Sequence, residues 1–84
     1  MNFRISFKKS VYKDLNSIAK SDATRILNKI DQELLTNANK FPVLKGRFKG
    51  LRRFRVGNYR IIYAILNDEV LILRIFHRKD AYKS

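Results

Sequence analysis

The chain opens on a period of two. From Asn2 to Phe7 the apolar residues Phe3, Ile5 and Phe7 alternate with Asn2, Arg4 and Ser6, the pattern of a strand with one buried face. The period then lengthens. Val11, Leu15, Ile18 and Ala19 recur at helical spacing, with Ser10 placed to cap the helix. A polar break at Lys20-Ser21-Asp22 precedes a second helix, capped by Ser21, whose apolar face is Ala23, Ile26, Leu27, Ile30 and Leu34. So short a connection predicts an antiparallel helical hairpin. Asn37, Asn39, Pro42 and Gly46 end the helical pattern and open a loop. Beyond it the strand character returns over Leu51–Val56, Tyr59–Leu66 and Val70–His77, with Gly57-Asn58 and Asn67-Asp68-Glu69 between them. The expected fold is α+β: a small antiparallel sheet, joined by the N-terminal strand and covered on one face by the helical hairpin. The chain reads as a single domain over residues 1–84.

Gly57-Asn58 is a two-residue, glycine-first turn, and a turn of known length sets register. Val56 then pairs with Tyr59, Arg55 with Arg60, Phe54 with Ile61 and Arg53 with Ile62. Alternation sends Phe54, Val56, Tyr59, Ile61, Tyr63 and Ile65 to the face the helices cover. It gathers Arg53, Arg55 and Arg60 on the other. Like charges directly opposite one another destabilise a sheet unless something negative intervenes, and phosphate suits clustered guanidinium forks. The last strand returns to the same level, so Arg78 should arrive beside this cluster. Tyr82 follows, placed either to stack on an unpaired base or to dock the tail. His77, the one histidine, titrates near neutrality when unperturbed and is either a structural or a catalytic residue there.

Charge sharpens this picture. Nineteen Lys and Arg against seven Asp and Glu give a net +12, and no acid lies between Glu33 and Asp68. That stretch holds Lys40, Lys45, Arg47, Lys49, Arg52, Arg53, Arg55 and Arg60. Concentrated like charge is best tolerated beside a polyanion. Lys45, Arg47, Lys49 and Arg52 are accordingly expected to contact RNA. There is no cysteine, so disulfides and thiolate metal sites are excluded, and one histidine with scattered acids makes no metal site expected. No apolar run approaches the roughly 20 residues of a membrane span, and Met1–Phe7 has no signal-peptide segment, which leads to the expectation of a cytoplasmic protein.

Leu44-Lys45-Gly46, Lys49-Gly50-Leu51, the run Arg53-Phe54-Arg55-Val56-Gly57-Asn58-Tyr59-Arg60-Ile61-Ile62-Tyr63 and the close His77-Arg78-Lys79-Asp80-Ala81-Tyr82 resemble, in order and spacing, the RelE/ParE toxin superfamily. The resemblance runs over essentially the whole chain. It implies a toxin of a type II toxin–antitoxin pair, needing neither cofactor nor metal. RelE-like members cleave messenger RNA in the 30S decoding site and are silenced by a cognate acidic antitoxin. The positions matching the family's catalytic set are Arg53, Arg55, Arg60, Arg78 and, more loosely, Tyr82. RelE has lysines where this chain has Arg53 and Arg55. Arginine stays protonated, so these two can stabilise charge but serve poorly as bases. Proton transfer would fall to His77, Tyr82, the ribosome or the RNA. ParE-like members instead poison DNA gyrase through protein contacts, and a non-catalytic RNA-binding module would carry the same charge.

Overall fold

A computed structural model describes residues 2–46 and 50–79. The elements are β1 (Arg4–Phe7), α1 (Lys9–Asn16), α2 (Lys20–Asn37), a short 3-10 turn (Ala38–Lys40), β2 (Arg52–Val56), β3 (Tyr59–Leu66) and β4 (Glu69–His77). One sheet runs in the order β1-β4-β3-β2. The meander β2-β3-β4 is antiparallel, as its turns require, but β1 enters parallel to β4, with Arg4 opposite Glu69 and Phe7 opposite Ile72. The sheet is therefore mixed and not wholly antiparallel.

The hairpin register follows the turn: Arg55 faces Arg60, Phe54 faces Ile61 and Arg53 faces Ile62. Gly57 turns with φ of +57°, a conformation that favours glycine, and the Arg25 guanidinium lies over it. The second turn is shorter than expected. Leu66 pairs with Glu69, leaving Asn67 and Asp68 alone in the turn, with Asn67 left-handed at φ of 59°. A bulge between Ile62 and Tyr63, near Leu73 of the partner strand, resets the alternation so that Ile72 and Ile75 both face the core.

Both helices lie on one face. Val11 of α1 and Ile26, Ile30 and Leu34 of α2 pack with Phe54, Val56, Ile61, Tyr63, Val70, Ile72 and Ile75. The two expected serine caps do not form: Lys8 and Ala19 occupy the N-cap positions, without side-chain capping bonds. Ser10 is used otherwise. β1 ends opposite Ile72, and α1 continues along the same edge of β4, where Ser10 Oγ donates to the Leu73 carbonyl at 3.0 Å and Asp14 accepts the Ile75 N–H at 2.9 Å. Side chains of one helix face thus stand in for a missing strand, covering an edge that would otherwise invite pairing. No helix among the described residues is long and apolar enough to cross a membrane.

Candidate nucleic-acid interface

The uncovered face of the sheet is lined by Arg53, Arg55 and Arg60, with Ile62, Ala64, Leu71 and Phe76 beside them by register. Ile62 retains only 3% of its surface although it lies outside the helix-packed core. Its cross-strand neighbours are Arg53 and Arg74. Arg55 and Arg60 flank the turn at one non-hydrogen-bonded pair, where facing side chains approach most closely. Arg60 Nε is buried and finds no hydrogen-bond partner among the described residues. A buried charged donor left unsatisfied costs roughly 1–3 kcal/mol or more, so the guanidinium is held here at a cost to the fold.

The same face shows what a neutralised arginine looks like. Arg74 forms a two-point pair with Asp14, Nε to Oδ2 at 2.9 Å and Nη2 to Oδ1 at 3.3 Å. At the β1 edge Arg4 pairs with Asp68 at 3.2 Å, and Ser6 donates to Glu69 at 2.8 Å. Acids are thus placed against the cations of β1 and β4, and none of the described ion pairs involves Arg53, Arg55 or Arg60.

Other expected site residues separate. Arg78 leaves β4 beside the hairpin turn, its N–H donating to the Asn58 carbonyl at 2.6 Å, and it is exposed. Lys45 is exposed in the loop before β2. Arg52 is not part of the open face. It lies opposite Tyr63, and its guanidinium donates to the carbonyls of Phe41 at 2.7 Å and Asn39 at 3.2 Å, tying down the chain that leaves α2. His77 pairs with Tyr59 and meets its ring edge-on at 5.3 Å, which sets it on the helix side, across the sheet from Arg55 and Arg60. Its Nδ1 accepts the Lys79 N–H at 3.1 Å. Arg47, Lys49 and Tyr82 lie outside the described residues.

On the covered side the polar groups find partners. Tyr63 Oη donates to the Ala38 carbonyl at 2.6 Å, and burial pushes its pKa up to about 12. Tyr59 Oη donates to Asp22 at 3.2 Å, and partial burial together with that bond raises its pKa. Arg25, not singled out from the sequence, pairs with Asp22 at 3.7 Å and lies over Gly57. Its signal was weak, because a lone arginine on a helix gives no hint of the turn it covers.

A small mixed sheet, closed on one face by two helices and presenting on the other arginines that no described acid pairs, Arg53, Arg55 and Arg60, defines the RelE/ParE class of compact toxins. The ParE toxin family of the type II toxin–antitoxin system parDE matches residues 5–82, and the chain belongs to that family. It is 33% identical over 85 residues to Toxin RelE3 of Methanocaldococcus jannaschii, covering 94% of each chain. Among solved structures, the archaeal RelE–RelB complex from Pyrococcus horikoshii OT3 is 32% identical with a TM-score of 0.70, over 96% of this chain and 100% of that one. The RelBE2 toxin–antitoxin complex from Mycobacterium tuberculosis shares the fold more closely, with a TM-score of 0.86 at 22% identity, over 93% of this chain and 100% of that one. The protein is a type II toxin.

Proposed function

We propose that the open arginine face binds RNA and that the protein cleaves messenger RNA in the ribosomal decoding site until an acidic antitoxin covers that face. The observation that carries this reading is the cluster of Arg53, Arg55 and Arg60 on the open face, which no acid among the described residues pairs. Kinship to a RelE toxin, and to a RelE solved with RelB, supports both the activity and the partner. In the proposed step the ribose 2′-oxygen loses its proton and attacks the adjacent phosphorus. The P–O5′ bond breaks, the 5′-oxygen takes up a proton, and a 2′,3′-cyclic phosphate remains. Arg60, with Arg55 and Arg78, would stabilise the charge that gathers on the non-bridging oxygens. Arginines supply no base, and His77 stands on the other side of the sheet, so the proton is taken by the ribosome, the RNA or the tail beyond Lys79. No metal or cofactor enters this step.

The test adds purified protein to translating ribosomes and maps the 5′ ends of the message. Cuts within translated codons are expected, and Arg60→Ala should slow them about a hundredfold or more while leaving the urea midpoint unchanged or raised. An intact message alongside inhibited gyrase supercoiling would give the protein the activity its ParE family name suggests. Tight RNA binding without cuts would leave a binding module.

A further inference from the structure

The loop that leaves α2 comes back to the outer edge of β2. Arg53 N–H donates to the Pro42 carbonyl at 3.2 Å, Leu44 N–H donates to the Leu51 carbonyl at 2.7 Å, and Val43 bridges Arg52. Along the edge, these contacts reach Arg53. Where the loop parts from the strand lies a cavity of about 240 Å³ lined by Phe41, Pro42, Arg53, Phe54 and Arg55. Phe41 meets Phe54 edge-on at 4.9 Å and 61°, which holds the inner wall in place. The volume lies below the roughly 300 Å³ at which sites for drug-sized ligands begin, so it suits a single small ring system.

Two chemistries meet in this slot. Phe41, Pro42 and Phe54 offer an apolar surface, while Arg53 and Arg55 carry charges with no ion pair among the described residues. A free phosphate would engage the guanidiniums and leave the apolar wall bare. An aliphatic side chain would fill the slot and leave the charges unanswered. A nucleobase joined through its ribose to phosphate satisfies both, and stacking on aromatic and guanidinium planes is how unpaired bases are commonly held. Arg55 also belongs to the cross-strand pair with Arg60, so a strand seated here leads directly onto the open face.

We propose that this cavity receives one unpaired base of the bound RNA, its ring against Phe41 and Pro42 and its flanking phosphates on Arg53 and Arg55. The proposal rests on the RNA-binding reading above and adds a base-stacking subsite to it. It gives the chain between α2 and β2 a share in placing the RNA relative to Arg60.

The test compares two short single-stranded 2′-O-methyl oligonucleotides, one intact and one carrying abasic spacers throughout, by fluorescence anisotropy at equal salt. The parent protein should bind the intact strand about tenfold more tightly, the range expected for one stacked base. Phe41→Leu keeps apolar bulk, so the variant should stay folded with only a modest fall in urea midpoint while the preference collapses to about twofold or less, because the flat ring face is gone. Equal binding of both strands by the parent would overturn the base slot and leave the phosphate reading standing. Binding of neither strand would sink both. A preference that survives in Phe41→Leu would place base recognition elsewhere, and loss of antitoxin binding in that variant would assign the cavity to the partner protein.

Discussion

The two faces of this sheet are built on opposite rules. On the covered face apolar side chains interlock with the helices, and the polar atoms that occur there are answered: Tyr63 by the Ala38 carbonyl, Tyr59 by Asp22, Arg52 by two loop carbonyls. On the open face Arg55 is set against Arg60, and Arg60 Nε is sealed without a partner among the described residues. Arg74 shows that this is a matter of placement and not a shortage of acid, since Asp14 reaches around the β4 edge to meet it. Stability comes mainly from one face, while the other holds charge ready for a ligand. A face that works against the fold when empty is expected to gain most when an anion arrives.

The largest expected effect lies on the covered face. Ile61 has no exposed surface, and Ile61→Ala should cost about 2–5 kcal/mol in urea unfolding. A loss well below about 1 kcal/mol would mean that the covered face is not the source of stability. Next comes pH. Tyr63 holds its proton up to about 12 when folded, against an ordinary value of 10.0, so the folded state binds more protons than the unfolded one in that window. Its contribution is fully present below pH 10 and is lost as pH climbs towards about 12, by up to about 1.4 kcal/mol per pH unit. Urea midpoints across that range should fall more steeply for the parent than for Tyr63→Phe, and identical slopes would contradict the assignment. The smallest effect is on the open face. Arg55→Ala should leave stability within about 0.5 kcal/mol, or raise it slightly by removing the repulsion with Arg60. A clear destabilisation would show that the arginine face contributes to the fold after all.

Much of this arrangement was legible in the sequence because it is local. A two-residue turn with glycine first dictates Arg55 opposite Arg60, and alternation does the rest. The same alternation carried information that the charge pattern obscured. Arg52 lies two residues before Phe54 and His77 two after Ile75, so both belong on the helix side, yet the basic run and the lone imidazole drew them toward the arginine face. Other features were out of reach. A period of two declares β1 a strand but not its partner, and pairing with β4 depends on how α1 and α2 pack between them in sequence. Ser10 reads as a helix cap by rule, but α1 runs along the β4 edge and its hydroxyl serves Leu73 instead. The cavity at Phe41 depends on where a loop parts from a strand, which side-chain patterns do not encode.

The parallel entry of β1 sets the order of synthesis against the order of assembly. Arg4 opens the first of the described strands, yet its place in the sheet is beside Glu69, in the last of them. The antiparallel meander can zip from its turns, whereas β1 must wait for a closure that spans most of the chain and carries the corresponding entropy cost. Until then Phe3, Ile5 and Phe7, which pack against the finished core, have no sheet to join. Arg60 likewise lacks the neighbour on which its setting depends, because Phe76 lies in that same last-made strand. The domain therefore closes as a unit only after β4 has been made, and the open arginine face is completed with it.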